Sequence, residues 1–170
     1  MWLIDRTPGS GGQGFGVYRL MGTTGTWKKM PGAEGVAIAV GPDGQPWVVN
    51  RSGQIWRGVK GGADNSYVNG TFELVSGAAK DIGVGSDGSV WVIGTGQAGS
   101  SDYQIWKYGA GNQWQLISGG AVRIAVDGSG QPWVVNSQGT VFSYSESSSS
   151  WTQMGATGIA SDIGAGAATR

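Results

Sequence analysis

Asp81-Ile82-Gly83-Val84-Gly85-Ser86-Asp87-Gly88-Ser89-Val90-Trp91-Val92-Ile93 is two short apolar strands joined by a turn. Asp87-Gly88 supplies the positive φ that a tight hairpin needs. The first strand recurs near the other end of the chain as Asp162-Ile163-Gly164-Ala165-Gly166, and there no second strand follows. Trp91 stands 10 residues after Asp81; continuing from Arg170 to Met1 places Trp2 10 steps after Asp162. The tail is the first half of a unit whose second half is the head, and the sequence reads as a ring cut at one point. A closed propeller of sheets requires this, because its first and last strands share a blade.

The same tryptophan recurs as Trp2, Trp47, Trp91 and Trp133, each opening an apolar strand. Before three of them lie a strand and a Gly-containing turn: Ile38-Ala39-Val40-Gly41-Pro42-Asp43-Gly44, the stretch quoted above, and Ile124-Ala125-Val126-Asp127-Gly128-Ser129-Gly130. A third strand carries Val17-Tyr18, Ile55-Trp56, Ile105-Trp106 or Val141-Phe142, and a fourth opens on Trp27, Phe72, Trp114 or Trp151. Four short strands in about 42 residues is a propeller blade. The expected fold is all-β: one domain over 1–170, a β-propeller of four four-stranded blades. The units are 1–35 plus 159–170, 36–77, 78–119 and 120–158. Residues 160–166 are expected to close the ring by pairing with Met1–Asp5, bringing Arg170 close to Met1. Long and short units alternate. The short ones share Gln-Pro-Trp-Val-Val-Asn at 45–50 and 131–136, and the long ones carry Gly/Ser-rich insertions at 7–16 and 94–104.

Composition narrows function. Thirty-four dispersed glycines and no sustained 3.6-residue period argue against helix. Net charge is zero and only 13% of residues are charged, so no basic face for nucleic acid is expected. No apolar run is long enough for a membrane span, and no secretory leader is visible. Cysteine and histidine are both absent, which removes thiolate chemistry, the commonest metal ligand and every Ser-His or Cys-His nucleophile. Asp43, Asp87 and Asp127 fall in hairpin turns, and their loops lack the alternating oxygen ligands of a calcium site. Neither a metal nor another cofactor is expected, nor is catalysis, because repeat-equivalent carboxylates usually serve the scaffold.

The tryptophans are the candidates for binding. Trp47 and Trp133 are expected chiefly to fill the space between blades, with ligand contact as the other reading. Trp56 and Trp106 alternate with polar neighbours (Gln54 and Arg57; Gln104 and Lys107) and are expected half exposed. An indole face beside amide and guanidinium donors suits a sugar. The candidate ligand-binding set is therefore Trp47, Asn50, Arg51, Trp56, Arg57, Trp106, Trp133 and Asn136. Asn50 and Asn136 also suit turns.

The stretch 81–93, with Ile38 to Asn50 and the downstream Gly53-Gln54-Ile55-Trp56, resembles the tectonin family of propeller proteins, which includes lectins. The resemblance covers the chain in four copies. It implies a β-propeller with glycan sites in grooves between adjacent blades. Two departures bear on this. The family's lectins carry more blades than four, and the Asn after the Trp strand occurs only in the short units, where Asp5 and Gly94 replace it in the long ones. The expected function is multivalent binding of glycans or glycoconjugates, gaining avidity from several weak sites. Such a role favours an extracellular or cell-surface setting over the cytoplasm. The alternative is a structural or protein-interaction scaffold without sugar binding, a subunit of a fibre, filament or secretion assembly. Under either reading, self-association through the terminal strands is the rival to closure within one chain.

Overall fold

The computed structural model describes residues 1–22 and 25–166. The elements among them are fifteen strands and one turn of 3-10 helix, Ala110–Asn112. The chain divides into two compact units, Met1–Ala78 and Ala79–Arg170. The first holds a three-stranded sheet of β1 (Trp2–Pro8), β2 (Phe15–Met21) and β3 (Thr26–Gly35). It also holds a four-stranded sheet of β4 (Ala37–Val40), β5 (Pro46–Val49), β6 (Ile55–Gly61) and β7 (Ser66–Val75). The second holds β8 (Ala79–Val84), β9 (Val90–Gln97), β10 (Tyr103–Gly109) and β11 (Gln113–Ala121). Beside it stands the sheet of β12 (Arg123–Val126), β13 (Pro132–Val135), β14 (Val141–Ser145) and β15 (Ser150–Gln153). Every sheet is an antiparallel meander in chain order.

The repeated turns explain the meanders. Gly44, Gly88 and Gly130 have φ of 83°, 84° and 85°, a conformation that only glycine adopts freely. The aspartates of these turns bind the turns themselves. Asp43 Oδ1 accepts from Gln45 N at 3.0 Å, Asp87 Oδ1 from Ser89 N at 3.0 Å, and Asp127 Oδ1 from Ser129 N at 2.8 Å. The Tyr67 hydroxyl, donating to Asp43 Oδ2 at 2.5 Å, holds that carboxyl below its usual range. Tyr67 itself is pushed up to about 12, first by burial and then by Asp43. Burial works against ionised Asp127, but the Ser129 hydroxyl and the Trp133 indole N–H, at 2.6 and 3.0 Å, hold its pKa below the ordinary value.

Registers place a small residue opposite three of the tryptophans: Ala39 opposite Trp47, Gly83 opposite Trp91, Ala125 opposite Trp133. In the second unit this builds a core of Trp91, Ile93, Ile105, Ile117, Ile124, Val126, Val134 and Tyr144. The first unit's core gathers Val17, Met30, Ala33 and Val48, with Trp2, Ile4, Ile38, Trp56 and Phe72 packed against it.

One expectation is not met among the described residues. The sequence predicts a sixteenth strand over 160–166, paired with β1. None forms there among the described residues, and the first sheet keeps three strands. Some polar groups of this segment and of Ile159 beside it bond within the second unit. Ile159 N and Ala160 N donate to Gly139 O at 3.1 and 3.2 Å, Gly128 N donates to Gly166 O at 3.1 Å, and Asp162 faces Arg123 at 3.7 Å. Asp162 does keep the local geometry of its internal copy: its Oδ1 accepts from Ile163 N at 2.9 Å, as Asp81 Oδ1 accepts from Ile82 N at 3.0 Å. The expected approach of Arg170 to Met1 lies outside the described residues.

Candidate functional site

Within the first unit a groove of about 670 Å³ lies between the two sheets. Its apolar walls are Val48 from β5, Trp56 from β6, Phe72 from β7 and Ala33 from β3. Val48 and Trp56 are direct cross-strand partners, so one face of the hairpin presents both. Trp56 is half-buried, and its indole N–H makes no hydrogen bond among the described residues. Gln13, Glu34, Asn50 and Gln54 supply the polar lining.

The insertion of the first long unit overhangs this groove because Glu34 pins it. The Glu34 carboxylate accepts from Gly11 N at 2.6 Å and Gln13 N at 2.7 Å. Gln13 then reaches the β5–β6 turn: its carbonyl accepts from Arg51 N at 2.6 Å, and its side-chain Oε1 from the Ser52 hydroxyl at 2.5 Å. The second unit repeats this clasp with different atoms, Asp102 Oδ1 accepting from Ser137 N at 2.6 Å.

Asn50, only 4% exposed, turns its polar atoms toward its own turn. Its Oδ1 accepts from Gln54 N at 2.9 Å, and its Nδ2 donates to Gln54 Oε1 at 2.8 Å. Asn136 does likewise, accepting from Gln138 N and Thr140 N at 3.1 and 2.9 Å. Asn136 lines the second unit's smaller cavity, about 170 Å³, with Val134, Phe142, Ile105 and Trp151. The smaller size has a physical cause. Trp151 donates its indole N–H to Ser118 O at 2.6 Å and lies against Gly119, whereas its counterpart Phe72 packs edge-on against Trp2.

The structure brings Asn50 and Trp56 together in one groove and places Asn136 in the other. It does not bring the remaining candidates to them. Trp47 is buried, with its N–H on Gln45 Oε1 at 3.2 Å. Arg57 lies over that ring at 5.8 Å and pairs with Glu73. The Arg51 guanidinium lies over Phe15 at 5.8 Å. Trp133 donates to Asp127, and Trp106 packs on β10 against Gly94, where a Cβ would come within 2.9 Å of its indole. Gln13, Glu34, Phe72 and Trp151 were not among the candidates. Phe72 and Trp151 carried a signal, since both stand at the aromatic position of the fourth strand in the short units. Glu34 carried none.

No protein-family model matches the chain, and no curated protein matches it. Among solved structures it is similar to YCF48 bound to D1 peptide, with 18% identity and a TM-score of 0.57 over 82% of this chain and 46% of that one. It is also similar, with 14% identity and a TM-score of 0.48, to a Bacteroides fragilis protein bearing the name 6-phosphogluconolactonase, over 92% of this chain and 54% of that one. The chain spans about half the length of these two structures. The first likeness shows the fold, a β-propeller; the second is too low to carry an argument.

Proposed function

We propose that this chain is a non-enzymatic interaction module whose first-unit groove takes an extended segment of a protein partner. The observation that carries the reading is the groove itself: apolar walls of Trp56 and Phe72, an indole N–H awaiting an acceptor, and Gln13 and Gln54 at the polar lining. Peptide carbonyls supply such acceptors at every residue. The peptide carried by YCF48 is consistent with this use of the fold. The one carboxylate in the groove, Glu34, is held by two backbone N–H groups, which suits a structural pin better than an acid or base.

A glycan is the second reading. It is favoured by the half-buried indole of Trp56 beside an amide, and by the tectonin-like repeat. Peptide and glycan arrays decide between the two. Retention of peptides, weakened roughly thirtyfold in Trp56→Ala as for an aromatic anchor worth about 2 kcal/mol, is the expected result. Gln54→Ala, at an exposed position, is expected to weaken binding too, and it also removes the acceptor of buried Asn50 Nδ2, so its stability is measured alongside. Glycan retention with the same Trp56 dependence, and none for peptides, would replace the first reading by the second.

Closure of the propeller by the tail belongs to the same proposal. The register of Asp162 with Asp81 and the unfilled fourth place in the first sheet support it. An edge strand such as β1 invites pairing, from the chain's own tail or from a second copy. Sedimentation separates these: a monomer at low micromolar concentration is expected for closure within the chain, and an oligomer that dissociates on deletion of 160–170 would show exchange between chains.

A further inference from the structure

Three sheets place a cation over the ring of their repeated tryptophan: Arg19 over Trp2 at 5.4 Å, Arg57 over Trp47 at 5.8 Å, and Lys107 over Trp91 at 5.2 Å. In two of them a carboxylate pairs with the cation. Arg57 pairs with Glu73, its direct cross-strand neighbour, and Lys107 with Glu146 at 2.5 and 2.6 Å. The first sheet lacks that carboxylate. The residue directly opposite Arg19 is Lys28. The Arg19 side chain makes no hydrogen bond or ion pair among the described residues, and its Nη1 is buried without a partner. Lys28 reaches only neutral acceptors, Asn69 Oδ1 at 3.1 Å and Val68 O at 3.4 Å.

Two like charges directly opposite each other on a sheet are destabilising. A buried guanidinium nitrogen with no acceptor adds to that. The like-charge pairing is relieved by one carboxylate from outside, and the guanidinium fork matches a carboxylate in shape as well as charge. We infer that Arg19, with Lys28 beside it, is a docking point for a carboxylate of an acidic peptide, occupying the place that Glu73 fills for Arg57. The inference rests on the reading of a protein partner but uses a different surface from the groove.

The test uses two fluorescent probes on the full chain: a Glu-rich peptide blocked at both ends, and a Gly/Ser peptide with a free C-terminal carboxylate. Saturable binding of the Glu-rich peptide is expected, weakened at least about tenfold in Arg19→Met, the loss expected when one partner of a hydrogen-bonded charge pair is truncated. Lys28→Glu places an internal carboxylate opposite Arg19 and is expected to block the probe to the same degree. It also keeps the test decisive if Arg19→Met fails to fold. Lys107→Met, which removes the same charge from an occupied slot, leaves binding unchanged. Binding of the Gly/Ser peptide with the same Arg19 dependence supports the proposal and assigns a terminal carboxylate as the source. Absence of saturable binding to either probe, or equal binding in Lys28→Glu, overturns it. The groove reading is scored separately by Trp56→Ala on uncharged peptides, so either can fail alone.

Discussion

Replacing Trp91 by alanine is expected to lower the unfolding free energy by about 3–5 kcal/mol, the usual loss for a large aromatic removed from a packed core. Trp91 is wholly buried, packs among Ile93, Ile105, Ile124 and Val134, and meets Tyr144 edge-on at 5.8 Å between ring centroids. No smaller residue nearby can fill that space without moving two sheets. Trp91→Phe is expected to lose much less. The indole N–H of Trp91 is buried with no partner, so phenylalanine removes an unsatisfied donor together with part of the ring. Denaturant midpoints at unchanged m-value measure both. A loss under about 1 kcal/mol for alanine would mean the site collapses readily and the tryptophan is not the keystone of its sheet.

Asp81→Ala is expected to follow closely, with a loss of several kcal/mol. One carboxylate oxygen accepts from Ile82 N at 3.0 Å and the other from Ile124 N at 3.0 Å, joining β8 to β12 of the neighbouring sheet. Alanine leaves both donors without a partner, and at half-buried sites each is worth about 1–3 kcal/mol. The difference between the two proteins also depends on pH. Burial raises the Asp81 pKa in the folded state above 3.8, outweighing the two hydrogen bonds and the charge of Arg123. A raised folded-state value means that the folded chain binds the proton more tightly than the unfolded one. The stability due to this titration is therefore complete below 3.8 and lost as pH rises through the folded value. The deficit of Asp81→Ala relative to the parent should be largest in acid and shrink toward neutrality. A deficit that grows with pH would mean that the ionised form, not the protonated one, is preferred in the folded chain.

The strands were legible because their signals are local. Asp-Gly and Gly-Ser-Asp-Gly fix hairpins, and the recurring Trp-Val-Val marks the buried strand that follows such a turn. The pairing of the tail was less legible, for the opposite reason. The word Asp162-Ile163-Gly164-Ala165-Gly166 carries the local turn chemistry, and that chemistry forms, but a ladder needs a second strand whose position no local word specifies. At the site, half-exposed Trp56 was legible from its alternation with Gln54 and Arg57. The role of Asn50 was legible only as one of two readings, and its hydrogen bonds to Gln54 favour the turn. Glu34 was invisible, because its partners, Gly11 and Gln13, lie more than 20 residues away in an insertion with no pattern. The fate of Arg57 depends on Glu73 across the strand, and sequence gives such pairings only once the register is known.

Among the described residues, every ladder joins strands that follow one another in the chain. Ordering each sheet therefore closes only short loops, whose entropy is small. Chains built from such near-neighbour pairings fold faster than β proteins that must first join distant segments. During synthesis β1 to β7 are complete once Ala78 has emerged, and their core residues all precede it. That unit can collapse while the second is still being made, which buries its apolar core early and leaves β1 as the edge that waits for a partner.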